Sequence, residues 1–159
     1  MNRINPRIFR EYDIRGVVGE DLNEEIIERI GKAYGTYMRK MGKNRVSLGR
    51  DCRLSSPAFA KAISDGITST GINIIDIGMV TTPMVYFSLF NLDVDGGVMI
   101  TASHNPSEYN GVKLCVGKEA LFGEEIQKIK RIAEGGDFAK GSGSVEATSI
   151  MDKYLNFLR

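Results

Sequence analysis

The sequence offers little to a metal ion and less to a disulfide: it has two cysteines, Cys52 and Cys115, and one histidine, His104. Two cysteines so far apart, behind an N-terminus (Met1 to Pro6) without the apolar core of a signal peptide, read as free thiols in a reducing compartment. A metal site built on them is not expected, because only His104 adds a nitrogen ligand. Charge of one sign is missing too. A formal net charge of +1 gives no case for nucleic acid or an anionic membrane as partner. Apolar runs are only a few residues long, well short of the ~20 that a bilayer span needs. A soluble, cytoplasmic protein is the expectation.

What is present suits one globular domain: 159 residues, 42% hydrophobic and 26% charged, enough to bury a core. Residues 8–19 read as an extended segment with a glycine break, a surface hairpin in which Asp13 and Arg15 are solvated. Asn23 to Met41 reads as a helix, with Asn23 as cap, Glu24 and Glu25 in the first turn and Leu22 and Ile27 as staple. Its inward stripe is Ile26, Ile30, Ala33, Tyr34, Tyr37 and Met41, and Gly42 stops it.

A short strand at Arg45 to Gly49 precedes a second helix, capped by Ser56 with Pro57 at its first position. Ile72 to Ile77 is apolar enough for a strand buried on both faces. A shorter helix opens at Thr81-Thr82-Pro83, and Asp95 to Ile100 is the next strand. Val112 to Val116 follows too soon for a helical crossover, so it should lie antiparallel. Glu124 to Ala133 is helical, glycine-rich 135–147 reads as a flexible connection, and Ser149 to Leu158 regains a helical stripe. The expected fold is a three-layer α/β/α sandwich on a four-stranded mixed sheet whose last strand is antiparallel. Residues 1–147 would form this domain and 148–159 the start of a helix leading to a further one.

The chemistry concentrates where Val98 to Ile100 runs into Thr101-Ala102-Ser103-His104-Asn105-Pro106, followed by Tyr109-Asn110-Gly111-Val112-Lys113. Ser103 beside His104 suggests a hydrolase, but adjacent residues project in different directions and there is no Gly-x-Ser-x-Gly elbow. Phosphate chemistry fits better. A loop of small residues after a strand can aim N–H groups at phosphate oxygens, with Arg15, Arg50 and Lys113 supplying charge. A serine in that field can accept a phosphoryl group. No Gly-x-x-x-x-Gly-Lys-Ser/Thr occurs, which excludes an ordinary nucleotide P-loop. On residue types alone Lys113 reads equally as a solvated edge-strand lysine, and His104 as a loop hydrogen-bonder.

These residues resemble the phosphoserine loop of the α-D-phosphohexomutases. Tyr12-Asp13-Ile14-Arg15-Gly16 is similar to that family's amino-terminal signature, and Gly49-Arg50-Asp51-Cys52-Arg53-Leu54-Ser55-Ser56-Pro57 to a third block. The start from Phe9 to Gly16 looks most like the phosphomannomutase/phosphoglucomutase branch; Cys52 stands where glycine is common. The resemblance implies that Ser103 carries the phosphoryl group, exchanging it with a glucose or mannose phosphate through a bisphosphorylated sugar. It also implies that the Ser103 phosphate ligates Mg²⁺, and that His104 and Asn105 steady it. Lys113 and Arg15 would balance charge and move the substrate proton, with Tyr12 supporting that corner and Tyr12, Arg15, Asn105 and Lys113 binding substrate or phosphate.

The family has four domains, and its metal loop, sugar-selecting loop and terminal phosphate loop lie beyond the first. No Asp-x-Asp-x-Asp run occurs here. The expectation is a first domain, inactive by itself, whose partners are hexose phosphates and the remaining mutase domains. The apolar stripe of the last helix implies self-association of the lone domain. A binding domain that keeps the loop without catalysis is the rival reading, and a serine hydrolase the weaker one.

Overall fold

The computed structural model describes residues 3–159; Met1 and Asn2, which belong to the expected 1–147 domain and to the segment read as leaderless, lie outside the described residues. After a 3-10 turn at Pro6–Ile8 the elements are β1 (Ile14–Val17), α1 (Glu24–Lys40), β2 (Arg45–Arg50), α2 (Ser56–Thr68), β3 (Asn73–Met79) and α3 (Thr82–Asn91). Then follow β4 (Gly96–Ile100), β5 (Tyr109–Val116), β6 (Glu119–Ala120), α4 (Glu124–Gly135), β7 (Val145–Ala147) and α5 (Met151–Leu158).

Helix α1 forms for the reasons its sequence gives. The Asn23 side chain accepts the Ile26 N–H at 2.9 Å, satisfying one of the first-turn donors. Ile26, Ile27, Ile30, Ala33, Tyr34 and Met38 are buried, but Met41 lies past the helix and is 41% exposed. Met38 takes the inward place that the stripe assigned to Met41. Tyr34 is core, its hydroxyl donating to the Cys115 carbonyl, whereas the half-buried Tyr37 donates to Glu125. Burial, reinforced by that bond to a carboxylate, pushes the Tyr37 phenol up to about 12.

The sheet runs β1-β5-β4-β2-β3-β7, with β6 hydrogen-bonded to β5. β4, β2 and β3 are parallel, β5 is antiparallel to β4 as expected, and β1 is antiparallel to β5. Helices α1, α2 and α4 pack on one face around Ile27, Ile30, Ile63, Val98 and Ile129. On the other face Met84, Val85 and Phe87 of α3 meet Ile77, Met99, Ile150 and Tyr154. The three-layer sandwich is therefore observed, on a sheet of seven strands rather than four.

The extra strands correct two readings. β1 is paired to β5 in register from Ile14↔Val112 to Val17↔Tyr109, so it is part of the sheet and not a solvated hairpin. Segment 135–147 is not a free linker, because Gly141 and Gly143 donate to the Ser69 and Thr68 carbonyls and β7 pairs with β3. Gly141 and Gly143 serve close approach: a methyl on Gly143 would stand 1.9 Å from the Ile72 carbonyl oxygen.

The same logic joins α1 to α2. A methyl on Gly66 would stand 2.1 Å from the Glu28 carbonyl oxygen, a backbone atom that cannot move alone. Gly66→Ala is expected to destabilise the domain by about 1–3 kcal/mol, even though alanine is the better helix former by about 1 kcal/mol. Urea melts should show a lower midpoint with an unchanged slope.

Candidate active site

The three parallel strands end on one edge, and the chain leaves β2 toward β3 on one side while β4 lies on the other. Crevices at such switch points are where open α/β sheets take ligands. The segments that follow β2 and β4 meet there, the Asp51 N–H donating to the Ile100 carbonyl at 3.0 Å. Between them opens a groove of about 760 Å³, with Asp51, Arg53, Ser103 and His104 on one wall and Met79, Met84, Met99 and Met151 on its apolar side.

Ser103 is the one non-glycine residue among those described with positive φ, at 57°. A left-handed conformation costs an L-residue about 1–2 kcal/mol, so its neighbours must hold it. The Ser103 N–H donates to Thr101 Oγ1 at 3.0 Å and the Asn105 N–H to the Ala102 carbonyl at 3.1 Å. Thr101 and Ala102 are buried, while Ser103 and His104 are exposed at the groove. Ser103 and His104 share no hydrogen bond, consistent with the argument against a hydrolase pair.

A cationic corner stands beside the loop. Strand pairing puts Asp13, Arg15 and Lys113 on the sheet face of Met99, at the β1–β5 edge. The Asp13 carboxylate is only 5% exposed and receives Arg15 Nε at 3.1 Å and a second guanidinium N–H, with Lys113 Nζ at 3.9 Å. Arg15 then reaches across to donate to Asn105 Oδ1, so the corner and the serine loop are physically linked. Arg15 and Lys113 keep 21% exposure each, which leaves them accessible to an anion.

Tyr12, next to Asp13 in the chain, is 70% exposed and makes no hydrogen bond to Arg15 or Lys113. Arg50 opens instead toward a separate hollow near Lys61, Asp65 and Asp76, because successive strand residues alternate between faces.

Sequence reasoning missed the residues that brace the loop. Arg53 donates to the carbonyls of Ser103, Asn105, Pro106 and Tyr109 at 3.0, 2.7, 2.8 and 3.1 Å. Its Nε lies 3.3 Å from Asp51, and Asp51 Oδ1 also accepts the Ser56 hydroxyl at 2.5 Å. Asn110, fully buried, donates to Ser55 Oγ at 2.7 Å and Ser56 Oγ at 3.1 Å. The N-cap of α2 is thus Ser55, not Ser56, and neither hydroxyl caps the helix because both belong to this network. The available signal was Asp51-x-Arg53 directly after a strand that ends beside the loop.

Mg²⁺ does not fit this chain's side chains alone. Among the described residues no three His, Cys, Asp or Glu groups gather to hold a metal ion, so no step below passes through one. Among the described residues no helix is long and apolar enough to cross a membrane.

A mixed-sheet α/β domain with a serine loop and a cationic corner at its switch point defines a class, and comparison with known proteins gives the family. Residues 6–140 match the model for phosphoglucomutase/phosphomannomutase, alpha/beta/alpha domain I. The chain is 45% identical over 153 residues to a phosphoglucomutase of Neisseria meningitidis, covering 95% of this chain and 33% of that protein. It is 43% identical over 152 residues to a Pseudomonas aeruginosa phosphomannomutase/phosphoglucomutase, with 96% and 33% covered. A crystal structure of a Burkholderia thailandensis phosphoglucomutase/phosphomannomutase family protein superposes with TM-score 0.93 at 37% identity, over 97% of this chain and 35% of that one. The chain belongs to the phosphoglucomutase/phosphomannomutase family, of which it holds domain I. It spans about a third of the length of the curated relatives it matches.

Proposed function

We propose that this chain is the phosphoserine-bearing domain of a cytoplasmic phosphohexomutase that interconverts hexose 1-phosphate and hexose 6-phosphate. The observation that carries the reading is Ser103, held left-handed at the lip of the groove and tied through Asn105 and Arg15 to Asp13 and Lys113. In the forward half, a hydroxyl oxygen of the sugar phosphate attacks the phosphorus on Ser103. The new O–P bond forms as the Ser103 Oγ–P bond breaks, the hydroxyl proton passes to a base at the corner, and Ser103 Oγ takes up a proton. The second half runs the same chemistry in reverse from the other phosphate of the bisphosphorylated sugar. Lys113 and Arg15 face the charge and are the candidates for the proton, while His104 and Asn105 steady the transferring group.

In this reading the Ser103 phosphate would offer Mg²⁺ an oxygen ligand, and the ion would supply charge neutralisation there; the carboxylates to hold it are not gathered among the described residues. The domain is residues 1–147, with 148–159 leading to further domains that complete the site. Ile150 and Tyr154 already pack on the α3 face, which supports an ordered exit from the sandwich. The unpaired cysteines support a cytoplasmic setting.

A chase experiment tests the function. The chain, phosphorylated on Ser103 and then given glucose 1-phosphate or mannose 1-phosphate, is expected to pass its phosphate to the sugar as a bisphosphate without sustained mutase turnover. Release of inorganic phosphate at the same rate with and without sugar would mark a hydrolase instead, and steady turnover would contradict the need for further domains.

A further inference from the structure

We infer that Arg53 is the positioning residue for Ser103: it holds the 101–109 loop in the conformation that presents the serine hydroxyl, and so sets the maximal rate of phosphoryl transfer. This rests on the reading of Ser103 as the phosphoryl carrier.

Backbone N–H groups serve the Ala102, Pro106 and Glu108 carbonyls of the loop, and Arg53 gathers four carbonyls, those of Ser103, Asn105, Pro106 and Tyr109. One terminal nitrogen serves Ser103 and Asn105, the other Pro106 and Tyr109, so the two arms of the guanidinium grip the two sides of the loop. The Ser103 carbonyl is one of those held, which fixes the peptide plane next to the strained φ. Asp51 fixes the fork, receiving the Arg53 backbone N–H at 3.1 Å as well as its Nε, and Ser56 fixes Asp51. Arg53 is 14% exposed, and its charge-assisted bonds to the Asn105 and Tyr109 carbonyls are partly buried while those to Ser103 and Pro106 lie at the surface. A lysine cannot replace it, because one ammonium cannot span both sides of the loop and keep Asp51. With the fork gone, Ser103 relaxes toward negative φ and its hydroxyl is re-aimed relative to Asn105, the loop residue that Arg15 holds. Arg53 meets the loop only through backbone carbonyls and turns its Nε to Asp51, so its effect falls on geometry more than on affinity for the donor.

The test uses this chain as Arg53→Lys and Arg53→Ala, with glucose 1,6-bisphosphate as phosphate donor. Single-turnover phosphorylation of Ser103 is followed by mass against donor concentration, and amide hydrogen exchange is read across the chain. Expected is a maximal rate about 10- to 100-fold lower in both variants, from lost bonds to a charged group, with half-saturation unchanged. Amides of Ser103 and Asn105 should lose protection while those of α1 and β3 keep theirs. Guanidinium chloride at sub-denaturing concentration should restore rate and protection to Arg53→Ala but not to Arg53→Lys. Unchanged rate and loop protection, or loss of protection spread evenly through the domain, overturns the proposal. If the wild-type chain takes no phosphate while the variants still lose loop protection, the reading of Ser103 as carrier fails. Arg53 is then a structural brace only, and its role in transfer falls with that reading.

Discussion

Ser103→Ala will take up no phosphate from a hexose bisphosphate, and Ser103→Gly will likewise take up none while folding more stably than the wild type. The two substitutions separate chemistry from strain. Both remove the hydroxyl assigned as phosphoryl carrier, so transfer to position 103 is lost outright rather than slowed. Alanine pays the same left-handed penalty as serine at φ 57°. Glycine does not, and regains up to about 1 kcal/mol after its larger loss of chain entropy. A serine in a conformation that glycine would adopt more easily is a sign that the hydroxyl is kept for use. Thermal melts of the three proteins beside intact-mass phosphate counts decide the matter. A Ser103→Gly chain no more stable than wild type would remove the strain from the account, and phosphate on Ser103→Ala would remove the serine.

Lys113→Met should slow phosphorylation of Ser103 by about 10²- to 10⁴-fold, the usual contribution of a positioned proton-transfer group. The substitution keeps the length of the side chain and its fit beside Met99, and removes only the ammonium. Stability should change little, since Lys113 stands 3.9 Å from Asp13 and Arg15 remains to neutralise that carboxylate. Arg15→Met should behave differently. It leaves Asp13 buried without its main partner and frees Asn105, so both stability and rate should fall. Rates measured at saturating glucose 1,6-bisphosphate, beside urea melts, separate the two. A Lys113→Met rate within twofold of wild type would return that lysine to the solvated edge-strand reading.

The parts of the fold legible in the sequence are those set by neighbours in the chain. Asn23, the acidic first turn and the isoleucine stripe specify α1 locally, and the short gap between Ile100 and Val112 dictates an antiparallel pair. What was not legible depends on partners far away. Asp13 and Arg15 look solvated until Gly111 and Lys113 arrive beside them from the other half of the chain. Gly141 and Gly143 look like linker glycines until the backbone at Thr68 to Ile72 shows why no side chain fits. Arg53 serves carbonyls 50 or more residues away, and no residue pattern announces a carbonyl partner. Ser103 itself was legible from the motif around it; its left-handed backbone, a second reason to single it out, belongs to the structure.

The most direct test of the central claim is peptide mapping of this chain after incubation with glucose 1,6-bisphosphate. The account predicts one added phosphate, located on Ser103 within the peptide that carries His104 and Asn105. Phosphate on another residue, or none on Ser103 in a chain whose melt and exchange pattern show it folded, would contradict it.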